Sequence, residues 1–186
     1  MRFTPPTRAL TVLGLCAVLL AGCSLPSIPS DPDGTLERVR SERVLRAGAS
    51  PNAPLVLAEA GGPPTGPEVE LVEGFAQSVG ARVEWVVGGE SELVGRMEDG
   101  EIDVLAGGLL KDSPWEKRVT LTRPYGKAEA DDGTTRAHVL ATPMGENALL
   151  TELERYLDEH GSEHGSEHGG AQNGAAAGGE HAGVSS

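Results

Sequence analysis

The residues best suited to gripping a small ligand are Ser50, Asn52, Gly107, Gly108, Lys111 and Trp115. Adjacent glycines let backbone amides approach an anion closely, a lysine adds charge, and an indole supplies a flat apolar wall. Each residue also has a plain structural reading. Gly107-Gly108 would serve equally as a tight strand exit, Lys111 as a solvated charge, and Trp115 as a packing residue opening a short helix.

Catalytic candidates are lacking. No Ser/His/Asp spacing supports a nucleophile, and His138 stands at the start of an expected strand. Asp103 follows Asp99-Gly100-Glu101-Ile102, where an acid more often caps a neighbouring turn than performs proton transfer. His160, His164, His168 and His181 could share a transition-metal ion, since neutral imidazoles at short flexible spacing make ligands. His160, His164 and His168 fall at a four-residue interval around the low-complexity Gly-Ser-Glu-His repeat of 161–168, and such repeats arise easily without selection for binding. Neither an enzyme nor a metal or other cofactor is therefore expected.

Cys23 is chemically distinct. Met1 to Arg8 carries Arg2 and Arg8 and no acid, and Ala9 to Leu20 is an apolar run too short to span a bilayer comfortably. Leu20-Ala21-Gly22-Cys23 follows directly and resembles the lipobox of bacterial lipoproteins, whose cysteine thiol accepts diacylglycerol. The resemblance implies a signal peptide over 1–22, lipidation at Cys23 and a periplasmic or extracellular location on the cell envelope. Ser24 after the cysteine would favour the outer membrane if the cell is Gram-negative. Cys16 lies in the segment removed, which leaves no pair of cysteines for a disulfide. Residues 23–34, rich in Ser and Pro, read as a tether.

The elements that must position the candidate site follow from periodicity. A short charged helix with Leu36 and Val39 inward leads to a strand over 44–49, and 55–58 reads as a second, shorter strand. Gly66-Pro67 opens a helix in which Val69, Val72, Phe75, Ala76 and Val79 recur at three and four before Gly80. A strand over 82–87, a helix over 90–98 with Leu93, Val94 and Met97 on one face, and a strand over 102–106 come next. Strands at 119–122 and 138–142 precede a final helix from Glu146 to about Glu159. Alternating strands and helices predict a mainly parallel sheet with flanking helices, spanning 35–159. The polar stretch 126–136 reads as a linker and 160–186 as a disordered tail.

Four segments in this order resemble bacterial extracellular solute-binding proteins of family 3, which serve polar amino-acid ABC transporters. They are Val44 to Pro51, Thr65 to Leu71, Asp99 to Gly108, and Leu121-Thr122-Arg123-Pro124-Tyr125. The resemblance implies one lobe of a periplasmic-binding-protein-like type II fold. Complete members insert a second lobe between the Pro-Tyr element and the return strand, and 126–136 cannot hold even one unit of about 30 residues. The arginine that grips a ligand carboxylate in the family is also missing, because the aligned turn reads Asp112-Ser113-Pro114-Trp115. Short single-lobe relatives with Pro-Trp in this turn are the nearer match.

The net charge of −13 makes nucleic acid a poor partner and suits cationic or zwitterionic solutes or a basic protein. Two readings follow. In one, the lobe binds a small polar solute as a step in ABC-type uptake. In the other, the pocket has degenerated and the fold docks an envelope or transporter protein. Exposed Leu110 and Trp115 would favour docking, whereas amides and Lys111 converging on an open pocket would favour solute binding.

Overall fold

The computed structural model describes residues 31–129 and 135–166, within a compact unit that begins at Asp31. Cys23, the signal segment, residues 130–134 and residues 167–186, with His168 and His181, lie outside the described residues. In chain order the elements are α1 (Thr35–Glu42), β1 (Val44–Ala49), α2 (Pro67–Ser78), β2 (Arg82–Val87), α3 (Glu90–Glu98) and β3 (Val104–Leu110). A single 3-10 turn (Pro114–Lys117), β4 (Thr120–Leu121), β5 (Gly126–Glu129), β6 (Thr135–Thr142) and α4 (Asn147–Ser166) complete the chain.

The sheet order is β2-β1-β3-β6-β4, with β5 also paired to β6. β1 runs parallel to β2 and to β3, whereas β6 is antiparallel to β3, β4 and β5. The parallel part is thus confined to β2-β1-β3, and the sheet is mixed rather than mainly parallel. The return strand accounts for the difference: β6 lies beside β3 and runs against it, and its pairings with β4 and β5 are antiparallel as well.

Side chains alternate across the sheet and build a core on each face. On one face Val104 and Ala106 of β3 join Leu45, Ala47 and Ala49 of β1 under α1, α2 and α4. On the other, Leu105 and Leu109 join Val139 and Ala141 of β6 against Leu93, Val94 and Met97 of α3. Gly48 faces this second layer, where an added Cβ would stand 3.1 Å from both Ile102 Cδ1 and Leu105 Cδ1 and 3.3 Å from Leu93 Cδ2. No larger residue fits there without moving the layer.

Three segments differ from the sequence expectation. Residues 55–58 form no strand; Val56 and Leu57 make only isolated bridges, to Asn52 and Thr65. The stretch read as a linker pairs instead as β5 with the start of β6. The last helix continues past Glu159 to Ser166, and Gly161 is packed against Tyr125: a Cβ there would meet the Tyr125 carbonyl oxygen at 2.8 Å.

Candidate ligand-binding site

Parallel β1, β2 and β3 end at the same edge, so the loops that follow them converge, as expected for a ligand crevice in an open α/β sheet. The Ser50 amide donates to the Ala106 carbonyl at 2.8 Å, and the hydroxyl-bearing residue itself is buried. Asn52, exposed, donates its side-chain amide to the Gly107 carbonyl at 2.9 Å and so ties the β1 loop to β3 itself, because Gly107 and Gly108 lie within the strand, at its register shift, rather than at its exit. Glycine is required at 107 because a Cβ would lie 2.8 Å from Ser50 Cβ. Gly108 has φ +66, and a Cβ there would come within 2.4 Å of Asn52 Nδ2.

The β2 loop is joined through Trp115, whose indole N–H donates to Glu90 Oε1 at 2.9 Å. One face of the half-buried ring is covered by the Arg118 guanidinium, 5.5 Å from the centroid. Ser113 caps the 3-10 turn by accepting the Trp115 amide at 3.4 Å. Lys111 is exposed beside Asp112, with Glu116 exposed one turn further on. The loop after β1, the end of β3 with the turn that follows it, and the start of α3 therefore meet at one edge, carrying Asn52, Lys111 and Trp115 at the surface and Ser50 and Gly107 beneath.

The glycine amides have an internal partner. Glu68 accepts the N–H of Gly107 at 2.7 Å and of Gly108 at 2.9 Å on Oε2, and the Tyr125 hydroxyl donates to Oε1. Burial pushes the Glu68 carboxyl above the usual range, opposed by the Tyr125 hydroxyl and the two amides. Burial, and then the Glu68 charge, likewise push the Tyr125 phenol strongly upward. His138 packs near the Tyr125 ring at 6.5 Å between centroids, and burial lowers its pKa. The amides that the sequence offered to an external anion are thus filled by a carboxylate of the chain itself.

Glu68 was not among the residues singled out from sequence, although a signal existed. It lies three, four and seven positions before Leu71, Val72 and Phe75, on the apolar face of α2, whereas Glu70 faces outward. Glu90, the partner of Trp115, carried no such mark. Asp103 caps no turn; its buried carboxylate binds Arg46 and Arg38 at the opposite edge of the sheet. Among the described residues no group of three or more His, Cys, Asp and Glu is placed to hold a metal.

An α/β lobe with three loops gathered at the carboxyl edge of its parallel strands defines a solute-binding type of domain. Residues 45–163 match the family described as bacterial extracellular solute-binding proteins, family 3, and the chain belongs to that family. Among solved structures it is similar to the arginine-bound form of domain 1 from TmArgBP, with a TM-score of 0.59 and 23% identity over 66% of this chain and 97% of that one. An ancestral cationic amino acid solute-binding protein, AncCDT-1, gives a TM-score of 0.60 at 15% identity over 67% of this chain and 93% of that one. Among curated proteins, membrane-bound lytic murein transglycosylase F of Vibrio cholerae serotype O1 is 39% identical over 105 residues, 56% of this chain. Its counterpart in Maricaulis maris is 33% identical over 125 residues, 66% of this chain. The chain spans only 19% and 27% of those two relatives.

Proposed function

We propose that this protein is a lipid-anchored, single-lobe receptor of the cell envelope that binds a small zwitterionic solute of net positive charge and is not an enzyme. The observation that carries this reading is a pair of hydrogen bonds, Asn52–Gly107 from the β1 loop to β3 and Trp115–Glu90 from the turn after β3 to the start of α3, which fix one polar surface around the indole. Asp112 and Glu116 offer exposed carboxylates to a cation, and Lys111 offers an ammonium to a carboxylate. Glu68 already fills the Gly107 and Gly108 amides, which disfavours a ligand that is simply an anion. The arginine-bound form of domain 1 from TmArgBP supports the view that one lobe can suffice. Anchoring through Cys23 and delivery to an ABC-type transporter complete the proposal.

Arginine is the first probe, with glutamate as the opposite charge. Because a ligand that binds only the folded state raises the melting temperature, arginine should raise it for the unit beginning at Asp31, and Trp115→Ala or Lys111→Ala should reduce the rise. Glutamate should have little effect. No shift with arginine from demonstrably folded protein would overturn the solute reading. The filled glycine amides favour the second reading, a domain whose pocket has closed and whose edge docks an envelope protein. That reading would gain if a crosslinker placed at Trp115 captured one partner in cells while no solute moved the melting curve. Anchoring is tested separately: labelled palmitate should enter the protein in its bacterial host, and Cys23→Ser should abolish the label.

A further inference from the structure

A cavity of about 430 Å³ opens at the other edge of the sheet, where β1 and β3 begin and β6 ends. Its polar wall is built around Asp103, which is 1% exposed. One oxygen of that carboxylate accepts Arg38 Nη2 at 2.6 Å and Arg46 Nη2 at 2.7 Å. The other accepts the Arg46 amide at 2.9 Å and Arg46 Nε at 3.3 Å. A carboxylate has about four lone-pair sites, so Asp103 is saturated, whereas each guanidinium carries about five N–H donors and retains some unused. Arg38 sends a further bond to exposed Glu42 at 3.2 Å, and Arg118 at the rim is held by Glu98. Exposed Asp33 and Glu98 add two further carboxylates to the lining, but at the base, around Asp103, the buried acceptor is consumed and the Arg38 and Arg46 donors are in surplus. Met144, 54% exposed, and half-buried Pro143 supply the accessible apolar wall beside them, while Met97 and Ile102, 1% and 0% exposed, are buried behind the lining.

We infer that this cavity is a second binding site, for an organic monoanion whose carboxylate or phosphate head meets Arg38 and Arg46 and whose apolar body lies along Met144 and Pro143. Planar guanidinium donors match such oxyanions in geometry as well as charge. Arg38 and Arg46 are held in place before binding, which lowers the ordering cost. Arg118 reaches both this cavity and the Trp115 ring, but Arg38 and Arg46 do not, so a test through those two residues does not depend on the solute proposed at the carboxyl edge. A free organic acid and an anionic lipid headgroup present the same chemistry.

Two of the three methionines of the chain, Met97 and Met144, line the cavity, so methyl-labelled methionine gives a direct readout. Octanoate added to the unit beginning at Asp31 should shift both methyl signals in a saturable way and leave the indole signal of Trp85 in place. Arg38→Gln removes one charge-assisted donor and should weaken octanoate binding about tenfold. Arg46→Lys, which keeps the charge but loses the fork, should weaken it as well, and unchanged Trp85 signals would show both variants folded. Vesicles of phosphatidylglycerol, compared with phosphatidylcholine, separate the sources: selective broadening of the methyl signals assigns the headgroup, and its absence beside octanoate binding assigns a free acid. Methyl signals that ignore octanoate, or that respond equally in Arg38→Gln, overturn the site.

Discussion

Tyr125 donates its hydroxyl to Glu68 across 57 residues of chain, joining the segment before the β5–β6 hairpin to the first turn of α2. The same carboxylate holds the Gly107 and Gly108 amides, so one buried side chain binds α2, β3 and the hairpin. Both glycine amides are thereby satisfied within the chain.

Glu68→Ala should cost about 3–5 kcal/mol, because it strands two amides and a phenol in the interior. Tyr125→Phe removes one bond to a charged acceptor and should cost about 2 kcal/mol. Urea unfolding midpoints check both. The sign of the pH dependence follows from burial. A carboxyl whose folded pKa is raised stabilises most below its ordinary value of 4.5 and loses that contribution as pH climbs through the folded value. The wild type should therefore lose stability over that rise relative to Glu68→Gln, whose curve should be flatter.

A carboxyl pair, Asp31 and Glu146, governs where the chain enters α1. Glu146, 1% exposed, accepts the Asp33 and Thr35 amides at 3.0 Å each, and Asp31 accepts the Leu36 amide at 3.2 Å. Burial, then the hydrogen bond and charge of Glu146, push Asp31 up to about 6. Burial also pushes Glu146 up, but the Asp33 amide, the Asp31 carboxyl and Thr35 outweigh it and leave its pKa below the ordinary value. The Asp31 contribution is complete below 3.8 and fades as pH rises through about 6, whereas that of Glu146 is lost only in stronger acid. Amide exchange at Asp33 and Leu36 should accelerate beyond its intrinsic pH trend between about pH 5 and about pH 7. Asp31→Asn should remove that excess.

Arg43 ends α1 with φ 59, the left-handed conformation that a residue with Cβ adopts at a cost. Its carbonyl still accepts the Arg82 amide at 3.0 Å, so the conformation is fixed by the β1–β2 pairing that follows. Arg43→Gly should stabilise the fold by about 0.5–1 kcal/mol, the strain relieved less the added freedom of the unfolded chain. Thermal unfolding of the variant measures it, and a lower melting temperature would count against the account.

The elements that repeat strongly were legible in the sequence. α2 and α3 announce their buried faces through Val72, Phe75, Leu93 and Met97, and β2 through the β-favouring Val83, Trp85, Val86 and Val87. The hairpin was not legible, because Gly126–Glu129 has no apolar alternation and takes its strand geometry from β6 alone. The last helix was extended beyond its apparent end for a tertiary reason, the contact of Gly161 with Tyr125. At the site, the convergence of three loops followed from topology. What the glycine amides face did not, since an acid on an apolar helix face can be read only by asking which buried donors it would satisfy.

Gly108→Ala tests the candidate site most directly. With φ +66 an alanine is strained by about 1 kcal/mol or more, and its Cβ would fall 2.4 Å from Asn52 Nδ2. The Asn52 side chain is exposed and can swing away, so the clash should be relieved by breaking its 2.9 Å bond to Gly107 rather than by unfolding the lobe. The β1 loop would then part from β3 while both sheet faces keep their cores. The substitution should cost about 1–2 kcal/mol of stability, and arginine should lose its effect on the melting temperature. Asn52→Ala, which breaks the same bond without backbone strain, should reproduce the loss of ligand response with a smaller stability change. If Gly108→Ala proved as destabilised as expected yet responded to arginine like the wild type, the joined loops would not be what holds the solute.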